Sequence, residues 1–140
     1  MKTRWTKGRI AIVSTIAIIG AVTIAVAPAL FWQLHEARQS FGKFSSAIIA
    51  KNYRAAYALT SPELQHTTDY TAFVKLHDEL NSRFGDLERI DAGNYEVKER
   101  SNGWYGTMEA DMVFEHTALP FTFTLKKENN RWQIYSYHQD

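Results

Sequence analysis

The chain has no cysteine. That excludes disulfides, thiolate catalysis, cysteine-ligated zinc and lipid attachment through an N-terminal cysteine. Stability outside the cytoplasm would have to come from packing alone. Other signatures are missing too. No G-x-S-x-G is present and no serine is flanked by the glycines of a nucleophile elbow. The glycine-containing loops lack a phosphate-cradling pattern. His35, His66, His77, His116 and His138 contain no pair at the i, i+4 spacing of a helical metal site. No cofactor and no metal is therefore expected.

Acidic residues are absent from the first part of the chain. Lys2, Arg4, Lys7 and Arg9 precede Ile10 with no acid among them, which leaves 12 of the 16 basic residues against all 15 acidic ones after Phe31. The later part is mildly acidic. Nucleic-acid affinity comes largely from neutralising phosphates with Lys and Arg, so no nucleic-acid partner is expected.

Charge is absent altogether from Ile10 to Leu30, which reads IAIVSTIAIIGAVTIAVAPAL. A helix of that length spans roughly 31 Å, the thickness of a bilayer's hydrocarbon core. Trp5 precedes it and Phe31 and Trp32 follow, as interfacial rings do. The basic residues ahead of it place the N-terminus in the cytoplasm. The expectation is a cytoplasmic tail over 1–9, a single-pass anchor in the inner (plasma) membrane over 10–32, and an extracytoplasmic domain over 33–140. A cleaved signal peptide is the alternative, cut after Ala27-Pro28-Ala29, although the apolar run exceeds the usual signal length. Ala17, Ala21, Ala25 and Ala29 recur every fourth residue, a spacing that lets membrane helices approach, so self-association is one candidate partnership.

From Leu34 the period becomes helical: Leu34, Ala37, Phe41, Phe44 and Ile48 share one face. Asn52 breaks this helix before a short one carrying Tyr53, Ala56 and Tyr57. Ser61-Pro62-Glu63 reads as an N-cap with proline in the first turn. A further helix starts near Thr68 or Asp69, presents Phe73, Val74, His77, Leu80 and Phe84, and ends at Gly85. Beyond Gly85 the period is two. Met108, Ala110, Met112 and Phe114 alternate with Glu109, Asp111 and Glu115, and Phe121, Phe123 and Leu125 alternate with Thr122, Thr124 and Lys126. Shared faces suggest pairing Val97 with Met108, Phe114 with Phe121, and Leu125 with Trp132. Ile90 and Tyr95 differ in parity, so a bulge is expected at Gly93. The fold class is α+β: two or three helices packed on a curved four-stranded antiparallel meander, preceded by one transmembrane helix.

The stretch Lys51-Asn52-Tyr53-Arg54-Ala55-Ala56-Tyr57, the Ser61-Pro62-Glu63 cap, the Phe73-to-Gly85 helix and the closing Asn130-Arg131-Trp132-Gln133-Ile134-Tyr135 together resemble the nuclear-transport-factor-two-like (cystatin-like) superfamily. The resemblance is to its small bacterial members behind a signal or anchor helix. It implies a sheet wrapped around a long helix as a cone. It does not imply an activity, because that fold hosts isomerases, dehydratases, secretion-complex subunits and assembly modules.

An isomerase-type site needs a carboxylate base and a proton donor aimed into a dry pocket. The expected inner face of the sheet supplies no carboxylate, since Glu109, Asp111 and Glu115 have outward parity. Phe44, Tyr57, His77, Met112 and Phe123 are the candidate pocket-lining residues, with no catalytic residue among them. His77 is expected to be a neutral, hydrogen-bonded core residue. The preferred expectation is a membrane-anchored binding or assembly module, with a homo-oligomer or envelope protein as candidate partner. A small pocket enzyme of isomerase or dehydratase type is one alternative, and a single-pass subunit of a secretion or envelope complex is another.

Overall fold

The computed structural model describes residues 28–140. The expected cytoplasmic tail and most of the expected anchor, residues 10–27, lie outside the described residues. Among the described residues no helix is long and apolar enough to cross a membrane.

Residues Leu34–Asp140 form one compact unit. Four helical segments occur among the described residues, where the sequence suggested two or three. They are α1 (residues 28–49), α2 (Tyr53–Ala58), α3 (Pro62–Thr67) and α4 (Tyr70–Phe84). The additional division arises because Asn52, Ser61 and Asp69 each cap a separate segment. Their side-chain oxygens accept from the amides of Ala55, Leu64 and Ala72, satisfying donors that a helix start leaves unpaired. α1 ends where Lys51 turns left-handed at φ 56°, and Asn52 N–H reaches back to the Ala47 carbonyl at 2.9 Å. That is the geometry that pairs the last carbonyls of a helix.

The strands β1 (Leu87–Arg100), β2 (Gly103–Phe114), β3 (Ala118–Glu128) and β4 (Arg131–Gln139) form one antiparallel sheet in sequential order. The face assignment follows the expected parity: Met108, Ala110, Met112 and Phe114 are buried, and Glu109 and Asp111 exposed. The register break expected at Gly93 lies between Ala92 and Tyr95.

The expected cross-strand pairs are corrected. Met108 faces Tyr95 rather than Val97, Phe121 faces Ala110 rather than Phe114, and Trp132 faces Lys127 rather than Leu125. Each correction preserves the face, because the slide is an even number of residues. The turns decide it. Asn129 and Asn130 both adopt positive φ, 50° and 60°, closing β3 onto β4 through a two-residue loop, as a type I′ turn requires.

α1 buries Ala37, Phe41, Phe44 and Ile48 against the sheet's inner face, and α4 buries Phe73 and His77. The segment between α2 and α3 closes the outer edge of β4. Ser61 N–H donates to the Ile134 carbonyl at 2.8 Å, and Ile134 N–H to the Leu59 carbonyl at 2.9 Å. Pairing this edge removes a row of donors and acceptors open to other chains.

Candidate functional site

The inner face of the sheet and the two long helices enclose an interior filled by rings. Phe44 meets Phe73, Phe123 and Tyr137 at centroid distances of 6.4, 6.3 and 5.9 Å, and Phe123 stacks on Tyr137 at 5.4 Å. Edge-to-face and offset contacts of this kind add to the burial of the rings themselves.

Of the candidate pocket-lining residues, Phe44, Phe123 and Met112 are each 1% exposed and His77 3%. Four of the five converge on this cluster. Tyr57 packs against the far side of Phe73 at 5.3 Å, and its hydroxyl donates to the Thr68 carbonyl at 2.8 Å. Met112 lies apart in the sheet, opposite Ile90 and Leu119. The clefts lined by described residues open elsewhere: on the outer face of the sheet, along α4, and beside the β3–β4 hairpin.

His77 is the polar centre of the interior. Its Nε2 lies 2.8 Å from the Tyr137 hydroxyl. Tyr53 stacks on one side at 5.7 Å and Phe73 meets its edge at 4.8 Å. Burial strips water from the imidazolium and pushes its pKa down from 6.5 to about 4, with Asp78 opposing weakly. A ring with that pKa is neutral at pH 7. Burial also raises the Tyr137 phenol above its ordinary value, so both partners are uncharged. A second polar link lies alongside. Asn81 donates to the Tyr53 hydroxyl at 3.1 Å and accepts from the Leu87 amide at 3.0 Å, tying α2 and α4 to the start of β1. A pair sealed in this way holds elements in place.

Sequence reasoning missed Tyr137. Leu125 pairs with Ile134, but Thr124 pairs with Ser136, so Tyr135 is an extra residue in β4. This bulge reverses the parity set by Trp132 and Ile134 and swings Tyr137 inward. No turn residue marks it.

The carboxylates gather on the opposite face. Asp91, Glu109, Asp111 and Asp140 line a cleft of about 290 Å³, where Asn94 donates to Glu109 at 3.2 Å and Thr122 to Asp140 at 2.8 Å. No group of three or more metal-capable side chains is assembled among the described residues.

No protein-family model matches this chain, and no curated protein matches it. Solved structures do. A single-substitution form of Rv3472, a protein of unknown function from Mycobacterium tuberculosis, aligns with a TM-score of 0.59 at 9% identity, over 81% of this chain and 75% of that one. A protein from Catenulispora acidiphila aligns with a TM-score of 0.57 at 14% identity, over 82% and 93%. Aln2 from a Streptomyces species gives 0.55 at 11% identity, over 75% and 87%. At these identities the likeness is one of fold: this chain shares its α+β architecture with them.

Proposed function

We propose that residues 33–140 are a binding or assembly module of the nuclear-transport-factor-two-like superfamily, held on the extracytoplasmic side of the plasma membrane by residues 10–32. One observation carries the reading: the interior, where an enzyme of this fold would place its chemistry, is occupied by the protein's own side chains. Phe44, Phe73 and Phe123 are each at most 1% exposed, and the carboxylates that could act as bases lie on the opposite face. Partners therefore meet the outside of the domain. The membrane part rests on the uncharged run and its flanks, where Phe31 is 70% exposed.

Site-specific photocrosslinking in native membranes tests this. A crosslinker at Thr122 on the outer sheet face yields a discrete adduct with a second copy or another envelope protein. Wild-type protein titrated with benzene shows no saturable shift of the Met112 methyl resonance. A saturable shift there, with no adduct from the outer face, would overturn the module and return the interior to the pocket enzyme.

A further inference from the structure

The chain traverses the domain from end to end in α1. Near the start of the compact unit, Glu36 meets Lys127 at 2.8 Å, close to the β3–β4 turn. Just past the end of α1, Lys51 meets Asp86 at 2.7 Å, beside the start of β1. In this antiparallel meander the β1–β2 and β3–β4 turns share one end of the sheet, and the β2–β3 turn lies at the other. α1 therefore enters the domain at the end with two turns.

Charge is divided between the same two ends. Beyond the row of Val97, Gly106, Leu125 and Ile134, toward the paired turns, the strands carry Lys98, Arg100, Lys126, Lys127 and Arg131 against Glu99 and Glu128. Nearer the β2–β3 turn, Glu88, Asp91, Glu109, Asp111, Glu115 and Asp140 stand against Arg89. Three bases of the first group are paired, Lys98 with Glu96, Lys126 with Glu63 and Lys127 with Glu36. Arg38 follows Glu36 on α1, and Lys43 lines a cleft with Asn130 of the turn. With these two and the three pairing glutamates included, the two-turn end holds seven basic residues and five acidic ones. From the totals of 12 and 15 after Phe31, the remainder of the domain holds five and ten.

We propose that the two-turn end docks on an anionic lipid surface and holds the acid-rich end away from it, which rests on residues 10–32 being the anchor. Connectivity then decides which end is near the bilayer. Leu34, where the compact unit begins, is two peptide steps beyond residue 32, at most about 7 Å. Charge decides how the domain stands. The 14 residues of β1 carry the acid-rich end roughly 40 Å away, several screening lengths of about 8 Å. Basic groups within one such length are drawn to anionic headgroups, and carboxylates brought there by leaning are repelled. The attraction is diffuse and needs no headgroup pocket. It leaves the outer face of the sheet open to a protein partner.

The test uses the full chain. Because it has no cysteine, one fluorophore can be attached at Ser101→Cys in the β1–β2 turn or at Ala118→Cys beside the β2–β3 turn. Each protein is reconstituted in nanodiscs whose lipids carry a headgroup nitroxide, a short-range quencher. In discs containing phosphatidylglycerol, the dye at position 101 is quenched several-fold more than the dye at 118. The contrast shrinks in phosphatidylcholine alone and in the Arg100→Gln/Arg131→Gln variant. Salt at 1 M, where screening acts within about 3 Å, shrinks it without any substitution. Equal quenching at both positions, or a contrast indifferent to lipid charge and to salt, overturns the docking. Protein that elutes apart from the discs overturns the anchor itself and the docking with it, an outcome distinct from the other two.

Discussion

The Nε2 of His77, midway along α4, lies 2.8 Å from the hydroxyl of Tyr137 near the end of β4, 60 residues further along the chain. The contact joins a helix to the strand that closes the sheet, inside a shell of rings. Its consequences are largest for stability.

Acid should destabilise the protein through His77. The folded pKa is depressed from 6.5 to about 4 by burial, so between these values the unfolded chain binds the proton more readily. Stability is complete above pH 6.5, falls as pH drops toward 4, and changes no further through this group below that. The full shift corresponds to about 3 kcal/mol. Thermal melts of the full chain in zwitterionic detergent from pH 7 to pH 5 should show a falling midpoint. His77→Gln should flatten that slope. An unchanged slope in the variant would move the acid sensitivity to another group.

The same contact predicts a strongly non-additive double mutant. His77→Phe leaves the Tyr137 hydroxyl without its partner, and Tyr137→Phe does the same to Nε2. Each should cost about 1–3 kcal/mol, whereas removing both polar groups should cost clearly less than the sum. Denaturant unfolding of the four proteins measures the coupling. Additive losses would mean the hydrogen bond contributes nothing. A stable His77 variant that lost a ligand bound by the wild type would instead make this a functional pocket.

How much of this was legible in the sequence follows from periodicity. Helix starts at Asn52, Ser61 and Asp69 are written in side chains that accept from the backbone nearby, and such local bonds are visible in a one-dimensional string. The inward face of β2 and β3 is written in strict alternation. Register is not, because a slide of two residues leaves every side chain on its own face. That is why parity alone matches Met108 to Val97 although Tyr95 is its partner. The bulge at Tyr135 is harder still. Gly93 announces the irregularity in β1, whereas nothing in Trp132-Gln133-Ile134-Tyr135-Ser136-Tyr137 announces the one that brings Tyr137 to His77.

The β3–β4 turn should tolerate glycine better than its own residue. Asn130 holds φ at 60°, a region where a side chain is strained and asparagine merely tolerated. Asn130→Gly keeps the type I′ geometry and should stabilise the fold by a few tenths of a kcal/mol to about 1 kcal/mol. Asn130→Val, β-branched at the same φ, should destabilise by more than about 1 kcal/mol. Melting temperatures that move the opposite way in both variants would refute the turn assignment.

Gly106 and Tyr95 make a tighter test of packing. A Cβ at Gly106 would stand 2.7 Å from the Tyr95 hydroxyl oxygen and 3.3 Å from its Cζ. That oxygen is buried without a hydrogen-bond partner. Gly106→Ala must therefore push the phenol aside within a packed sheet, and overpacking of this kind costs about 1–3 kcal/mol. Tyr95→Phe alone should be neutral or slightly stabilising, because it removes a buried group that is paired with nothing. In combination the phenylalanine also removes the closest clash, so Gly106→Ala should cost much less in the Tyr95→Phe background than in the wild type. Denaturant midpoints of the two single variants and the double variant supply the comparison. If Gly106→Ala costs the same in both backgrounds, the contact that excludes a side chain at Gly106 is not the Tyr95 hydroxyl, and the ring of Trp132 behind it becomes the obstacle to examine.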